Sequence, residues 1–154
     1  MHAQTPAATT TLSVSGNVAQ PLMLTVDDLR RYPPHAVEYA PRNAMAPTAS
    51  AQASRHYKGC LLRDVLSAAK PTEGKARDLR KSYVVASASD GYEVLFSWAE
   101  LFISSVGENV FVVYERDGLP LADDEGRIAL VAVTDRRPAR HVKSLRALVV
   151  RTAQ

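Results

Sequence analysis

The stretch Val131–Val150, "VAVTDRRPARHVKSLRALVV", sets two strand-like apolar runs around Arg136, Arg137, Arg140, His141 and Lys143. The flanking runs, "RIALVAV" from Arg127 and "LRALVV" from Leu145, are aliphatic and β-branched, and read as strands. Pro138 interrupts the period after Val133, so Asp135 to Val142 reads as a loop or a short helical turn. Charge runs in such connections are most often solvated faces. This one leaves the core at the end of a buried strand, where binding sites are often built. Guanidinium groups placed there can fork onto oxyanions, stack on flat heterocycles or pair with carboxylates. His141 alternates with Val142 and Lys143, which puts it on the side of Lys143 or of Arg140.

The 154-residue chain suits one domain with a single core, and its 46% apolar content argues against disorder. Net charge is only +3, from 19 basic and 16 acidic residues, too balanced for a nucleic-acid partner. Cys60 is the one cysteine, which excludes an internal disulfide and a site of several thiolates. No apolar run is long enough to span a bilayer, so no direct membrane insertion is expected. Residues 1–11 are Ala/Thr-rich and read as a flexible tail. Behind Met1, "HAQTPAA" looks like the remnant left by signal-peptide cleavage, so the protein reads as exported to the periplasm. A ragged cytosolic terminus is the alternative.

From residue 12 to 151 the chain reads as one strand-rich domain. "LSVSGNV" alternates into a Gly-Asn turn, and Thr25 with Asp28 forms a capping-box pattern for a helix ending before Pro33. Pro34–Tyr57 is the least regular part. A short strand is possible at Val37–Ala40, and Ala46–Ser54 reads as a loop of the length that is often functional. Gly59 reads as a turn before a helix from about Leu61 to Lys70, with Leu62, Val65, Leu66 and Ala69 on one face. "SYVVASASDGYEVLFSW" alternates on both sides of Asp90-Gly91, the pattern of a hairpin. Ser97 and Glu100 then offer a second capping box. "NVFVVYERDGLPL" gives a buried strand, an Asp-Gly turn and another extended piece, and "DDEG" a further turn. Strands dominate and helices are short, which predicts an α+β domain with mixed or antiparallel sheets. No strand–helix alternation or Gly-rich phosphate motif supports a doubly wound fold.

Other candidate groups are weaker. Cys60 at a helix N-terminus would be activated, but between Gly59 and Leu61-Leu62 it reads better as a buried small hydrophobe. Asp90, Tyr92 and Trp98 form a polar-aromatic group at the hairpin, where Trp98 is either core or a stacking platform. No glycosidase carboxylate pair, Ser-His-Asp arrangement or metal-ligand spacing is present.

Five segments together resemble one family: "SGNVAQPLMLTVDDLRRYP", "YKGCLLRDVL", "DGYEVLFSWAEL", "VFVVYERDGLPL" and "RIALVAVTDRRPARHVKSL". Their order is that of the sulfite-oxidase-type molybdopterin-binding domain. "ARHVKSL", Ala139–Leu145, is similar to the family's Gly-Ala-Arg-x-Val-Lys-Trp-Leu segment, which lines the pterin pocket. The resemblance implies a single sulfite-oxidase-like α+β domain in which Arg140 and Lys143 contact a pterin. Chemistry adds His141 and Arg137, Arg55 and Tyr57 from the irregular loop, and Asp90, Tyr92 and Trp98 from the hairpin.

Three departures qualify that expectation. Catalytic members carry a molybdenum-binding cysteine after an early strand, whereas the corresponding "VEYAPRN", Val37–Asn43, has none. Ser144 replaces the usual tryptophan, and Arg136-Arg137-Pro138 the glycine-rich approach. The family's second, immunoglobulin-like domain has no counterpart in these residues. The resemblance then implies a small periplasmic pterin-binding protein without molybdenum catalysis, binding a reduced pterin or molybdopterin-like ligand with no metal. Its expected partner is a membrane-anchored signalling enzyme of cyclic-dinucleotide metabolism. The alternatives are a molybdopterin-dependent oxidoreductase domain without the cysteine, and an interaction module with an empty pocket.

Overall fold

The structure is a computed structural model, and it describes residues 9–40, 54–71 and 76–153. The loop expected at Ala46–Ser54 therefore lies, apart from Ser54, outside the described residues. Among the described residues the chain forms two five-stranded sheets with three short α-helices, an α+β arrangement.

The first sheet has the order β2-β1-β10-β5-β6. It uses β1 (Thr11–Gly16), β2 (Leu22–Thr25), β5 (Ser82–Ala88), β6 (Glu93–Ser97) and β10 (Leu145–Thr152). Only the β1–β10 pair is parallel, and the other neighbours are antiparallel. The second sheet is antiparallel throughout and centres on β7 (Val110–Arg116). One edge of β7 carries β4 (Arg55–Leu61), with β3 (His35–Tyr39) beyond it; β8 (Leu119–Pro120) and β9 (Ala129–Ala132) share the other edge.

Alternation explains the two apolar clusters. Val110, Val112 and Tyr114 of β7 join the main core with Leu12, Val14, Phe96 and Leu148 of the first sheet. Phe111 and Val113 point the other way, onto Val37, Tyr39, Tyr57 and Val131. Strand β7 is thus covered on both faces, which is why "VFVVY" reads as a continuous apolar run. Each large aliphatic side chain so buried stabilises the fold by about 1.5–3 kcal/mol.

Both capping boxes form. Thr25 caps α1 (Val26–Leu29), and Ser97 caps α3 (Trp98–Phe102). The apolar face read for the second helix is buried, with Leu62, Val65, Leu66 and Ala69 at 0% exposure in and just beyond α2 (Leu62–Ala68). Three local expectations change. Thr9, assigned to the flexible tail, is already buried, and β1 begins at Thr11. Arg55 and Tyr57 belong to β4 rather than to an irregular loop. Gly59 lies in the same strand, beside a register shift, instead of in a turn. A side chain there would collide with β7, since a Cβ would sit 2.2 Å from the Val112 carbonyl oxygen. Cys60 is consequently a strand residue with 0% exposure. Burial pushes its thiol up to about 12, so it is an unreactive core group.

Candidate functional site

A cavity of about 480 Å³ opens where the two sheets meet, lined by Arg55, Ala88, Asp90, Tyr92, Pro138, His141 and Lys143. Arg55 comes from the first residue of β4 and Ala88 from the last of β5. The hairpin turn contributes Asp90 and Tyr92, and the segment between β9 and β10 contributes the rest.

That last segment is tied to the core at Val142. Val142 donates to the Leu130 carbonyl at 2.9 Å and accepts from the Leu130 N–H at 2.9 Å. Val142 is fully buried. In extended backbone successive side chains alternate, so His141 and Lys143 project together to the other side, into the cavity. Ser144 then adopts φ 52°, which turns the chain into β10. Its Cα would lie 2.5 Å from a Cβ on Gly126, so the two residues are in close backbone contact. Ser144, which stands where the family resemblance expects a tryptophan, is wholly buried.

The electrostatics are asymmetric. Among the described residues neither Arg55 nor Lys143 has a carboxylate partner within salt-bridge distance. Asp90 spends one oxygen on its own turn, accepting the Tyr92 N–H at 3.0 Å. His141 is neutral. Burial lowers its imidazole to about 4, helped by the positive charges of Lys143 and Arg55 and opposed by Glu125. Its Nε2 is buried without a hydrogen-bond partner, and its ring meets Tyr39 edge-on at 5.4 Å.

Five of the sequence-predicted residues, Arg55, Asp90, Tyr92, His141 and Lys143, meet at this cavity. Four do not line it. Arg140 turns away: its Nε and Nη2 fork onto Asp135 at 2.8 and 2.9 Å, and its Nη1 donates to Glu100 and to the Leu95 carbonyl at 3.2 Å. The guanidinium also lies 4.3 Å over the Phe96 ring. These contacts, the Asp135 hydrogen bonds foremost, hold Arg140 above its ordinary range. Arg137 is exposed at the start of the 3-10 turn Pro138–Arg140. Trp98 stacks on Phe102 at 3.9 Å between centroids. Tyr57 is buried behind Arg55, which donates to its hydroxyl at 3.3 Å.

Sequence reasoning missed the carboxylates that organise these cations. Asp135 was readable only as loop, Glu100 only as a cap, and Glu125 only as part of the turn "DDEG". Yet Glu125 is 4% exposed and accepts from Tyr57 and Arg116. Tyr92 adds a staple, donating its hydroxyl to the Ala139 carbonyl. Together with Arg140 it holds the 3-10 turn onto the hairpin.

Two predictions follow from this geometry. Arg140→Ala lowers unfolding free energy in urea by roughly 1.5–3 kcal/mol, the value of charge-assisted hydrogen bonds. A double-mutant cycle with Asp135→Ala shows positive coupling, and additive effects would contradict the clamp. For His141, the folded pKa of about 4 lies below the unfolded value near 6.5. The unfolded chain therefore binds the extra proton between those values. The stabilisation is complete above pH 6.5 and is lost as pH falls towards 4, by a few kcal/mol at most. His141→Gln flattens this part of the pH–stability curve, and an identical slope in both proteins would contradict the assignment.

Comparison with known proteins agrees with this architecture. The family profile described as Oxidoreductase molybdopterin binding domain matches residues 2–154. No curated protein matches the sequence. Among solved structures, the sulfane dehydrogenase SoxCD from Paracoccus pantotrophus superposes with a TM-score of 0.71 at 18% identity. The match covers 97% of this chain and 39% of that one, so the chain spans well under half its length. The likeness at that identity is one of fold. With a profile matched over nearly every residue and the same domain fold, the chain belongs to the sulfite-oxidase-type oxidoreductase molybdopterin-binding domain family.

Proposed function

We propose that this domain binds a pterin and performs no molybdenum chemistry of its own. The observation that carries this reading is a mismatch inside one site. The cavity gathers groups suited to a flat, amide-like heterocycle, while the chain's single thiol is sealed in the core.

The fit to the pterin part is good. The His141 ring lines the cavity and offers a neutral aromatic surface to the heterocycle, while its Nε2 is sealed behind that surface. Arg55 and Lys143 suit ring oxygens or an appended oxyanion, and Arg55 can also stack on the ring plane. Tyr92 and Pro138 give the cavity flat walls. The volume lies within the range of small-molecule sites. A bound pterin would supply a bicycle whose hydrogen-bonding edge changes with its reduction state.

The fit to a protein-ligated molybdenum centre is poor. A soft thiolate is the ligand such a metal takes from this fold's catalytic members, and Cys60 lies in the main apolar cluster instead. Among the described residues no group of three or more His, Cys, Asp or Glu side chains could hold a metal ion.

In this reading the protein works in the periplasm, and its ligand occupancy is passed to a membrane-anchored enzyme of cyclic-dinucleotide metabolism. The competing reading is an oxidoreductase domain that holds molybdopterin without the cysteine.

One experiment separates the two. Fluorescence titration with 7,8-dihydroneopterin gives saturable binding, and Lys143→Ala weakens it by about tenfold or more, equivalent to roughly 1.5–3 kcal/mol, without lowering Tm. Protein purified from a molybdenum-sufficient host carries no stoichiometric molybdenum. Stoichiometric metal with a dithiolene absorption band establishes the oxidoreductase reading instead, and an unchanged dissociation constant in Lys143→Ala removes this cavity from the account.

A further inference from the structure

Behind the cavity wall sits a buried carboxylate that no binding contact accounts for. Glu125 is 4% exposed, in a turn whose other acids, Asp123 and Asp124, are exposed. Burying a carboxylate is costly unless its oxygens are filled, and these are. Oε1 accepts the Tyr57 hydroxyl at 2.5 Å, and Oε2 accepts Arg116 Nη1 at 3.1 Å. The tie continues towards the site, because Arg55 Nη1 donates to the same Tyr57 hydroxyl at 3.3 Å.

The main chain of Glu125 makes a second tie. Its carbonyl accepts the Ser144 N–H at 2.8 Å. Ser144 directly follows Lys143. One residue is thereby linked to both cavity cations: to Arg55 through a side-chain relay, and to Lys143 through the backbone. Arg55 opens β4 and Lys143 lies in the segment before β10, and these two like charges line one cavity. Something on the protein side must hold them on one wall when no ligand neutralises them. The Arg116 end of the relay is half-exposed, its side chain 39% accessible, so it supplies counter-charge without crowding the cavity.

We propose that Glu125 is the positioning residue of the cavity, fixing Arg55 through Tyr57 against the backbone-held Lys143. The effect on a pterin rests on the function proposed above, whereas the effect on Arg55 does not.

The test uses Tyr57→Phe and Glu125→Leu, which leaves the Tyr57 hydroxyl no side-chain acceptor at position 125, in the full chain, with two readouts. The first needs no ligand: the heteronuclear NOE of the Arg55 Nε–Hε group, with Arg30, paired to Glu115, as the internal control. It falls in both variants for Arg55 and not for Arg30. The second is 7,8-dihydroneopterin titration. Each variant binds about tenfold more weakly, and the double variant is no weaker than either single one, because both cut the same relay. Should Glu125→Leu fail to fold, Tyr57→Phe, which removes only the hydroxyl, carries the test alone. Should the wild-type protein bind no dihydroneopterin, the pterin reading fails while the Arg55 readout still decides the positioning role. An Arg55 signal equally mobile in wild type and variants overturns the proposal, as do fully additive losses of affinity.

Discussion

The pair of backbone hydrogen bonds between Val142 and Leu130 is the constraint on which the site depends. It fixes one buried residue of an otherwise polar connection against strand β9. Strand geometry then leaves His141 and Lys143 no choice of side. The bend at Ser144 and the close approach of Gly126 follow from the need to bring the chain from that bridge into β10. Without the bridge, the cluster of cations would be the solvated turn that its composition first suggests.

Clamps on either side of the bridge divide the cations by task. Arg140 is consumed by Asp135, Glu100 and the Leu95 carbonyl, so it holds the loop onto the hairpin. Arg55 and Lys143 remain without carboxylate partners among the described residues. The same residue types thus do opposite work a few positions apart. A desolvated, well-paired guanidinium is structural, and an unneutralised one at a cavity is available to a ligand.

Much of this was legible in the sequence, and the rest was hidden for definable reasons. Local rules located the two capping boxes, the Asp90-Gly91 hairpin and the doubly covered strand β7, because each depends on neighbours within a few residues. Resemblance placed the family and pointed to Lys143. It also pointed to Arg140, whose orientation depends on Glu100, forty positions away in the chain, and no spacing rule reports that. Gly59 looked like a turn because glycine's other use, close approach to a neighbouring strand, leaves the same mark. Glu125 was hidden because an acid in a turn is ordinarily solvated. Trp98 was open between core and platform, and its stacking on Phe102 places it in the former.

A shared fold does not by itself fix a chemistry, since reactivity resides in particular side chains. Here the cavity gathers Arg55, His141 and Lys143, the single thiol lies in the core, and Ser144 packs against Gly126. The most direct check is a crystal structure of the protein soaked with a saturating dihydropterin. The account requires planar density between Arg55, His141 and Lys143, with a ring nitrogen or oxygen in hydrogen-bond reach of Arg55 or Lys143. Density elsewhere on the molecule, or a cavity filled only by solvent at saturating ligand, would contradict it.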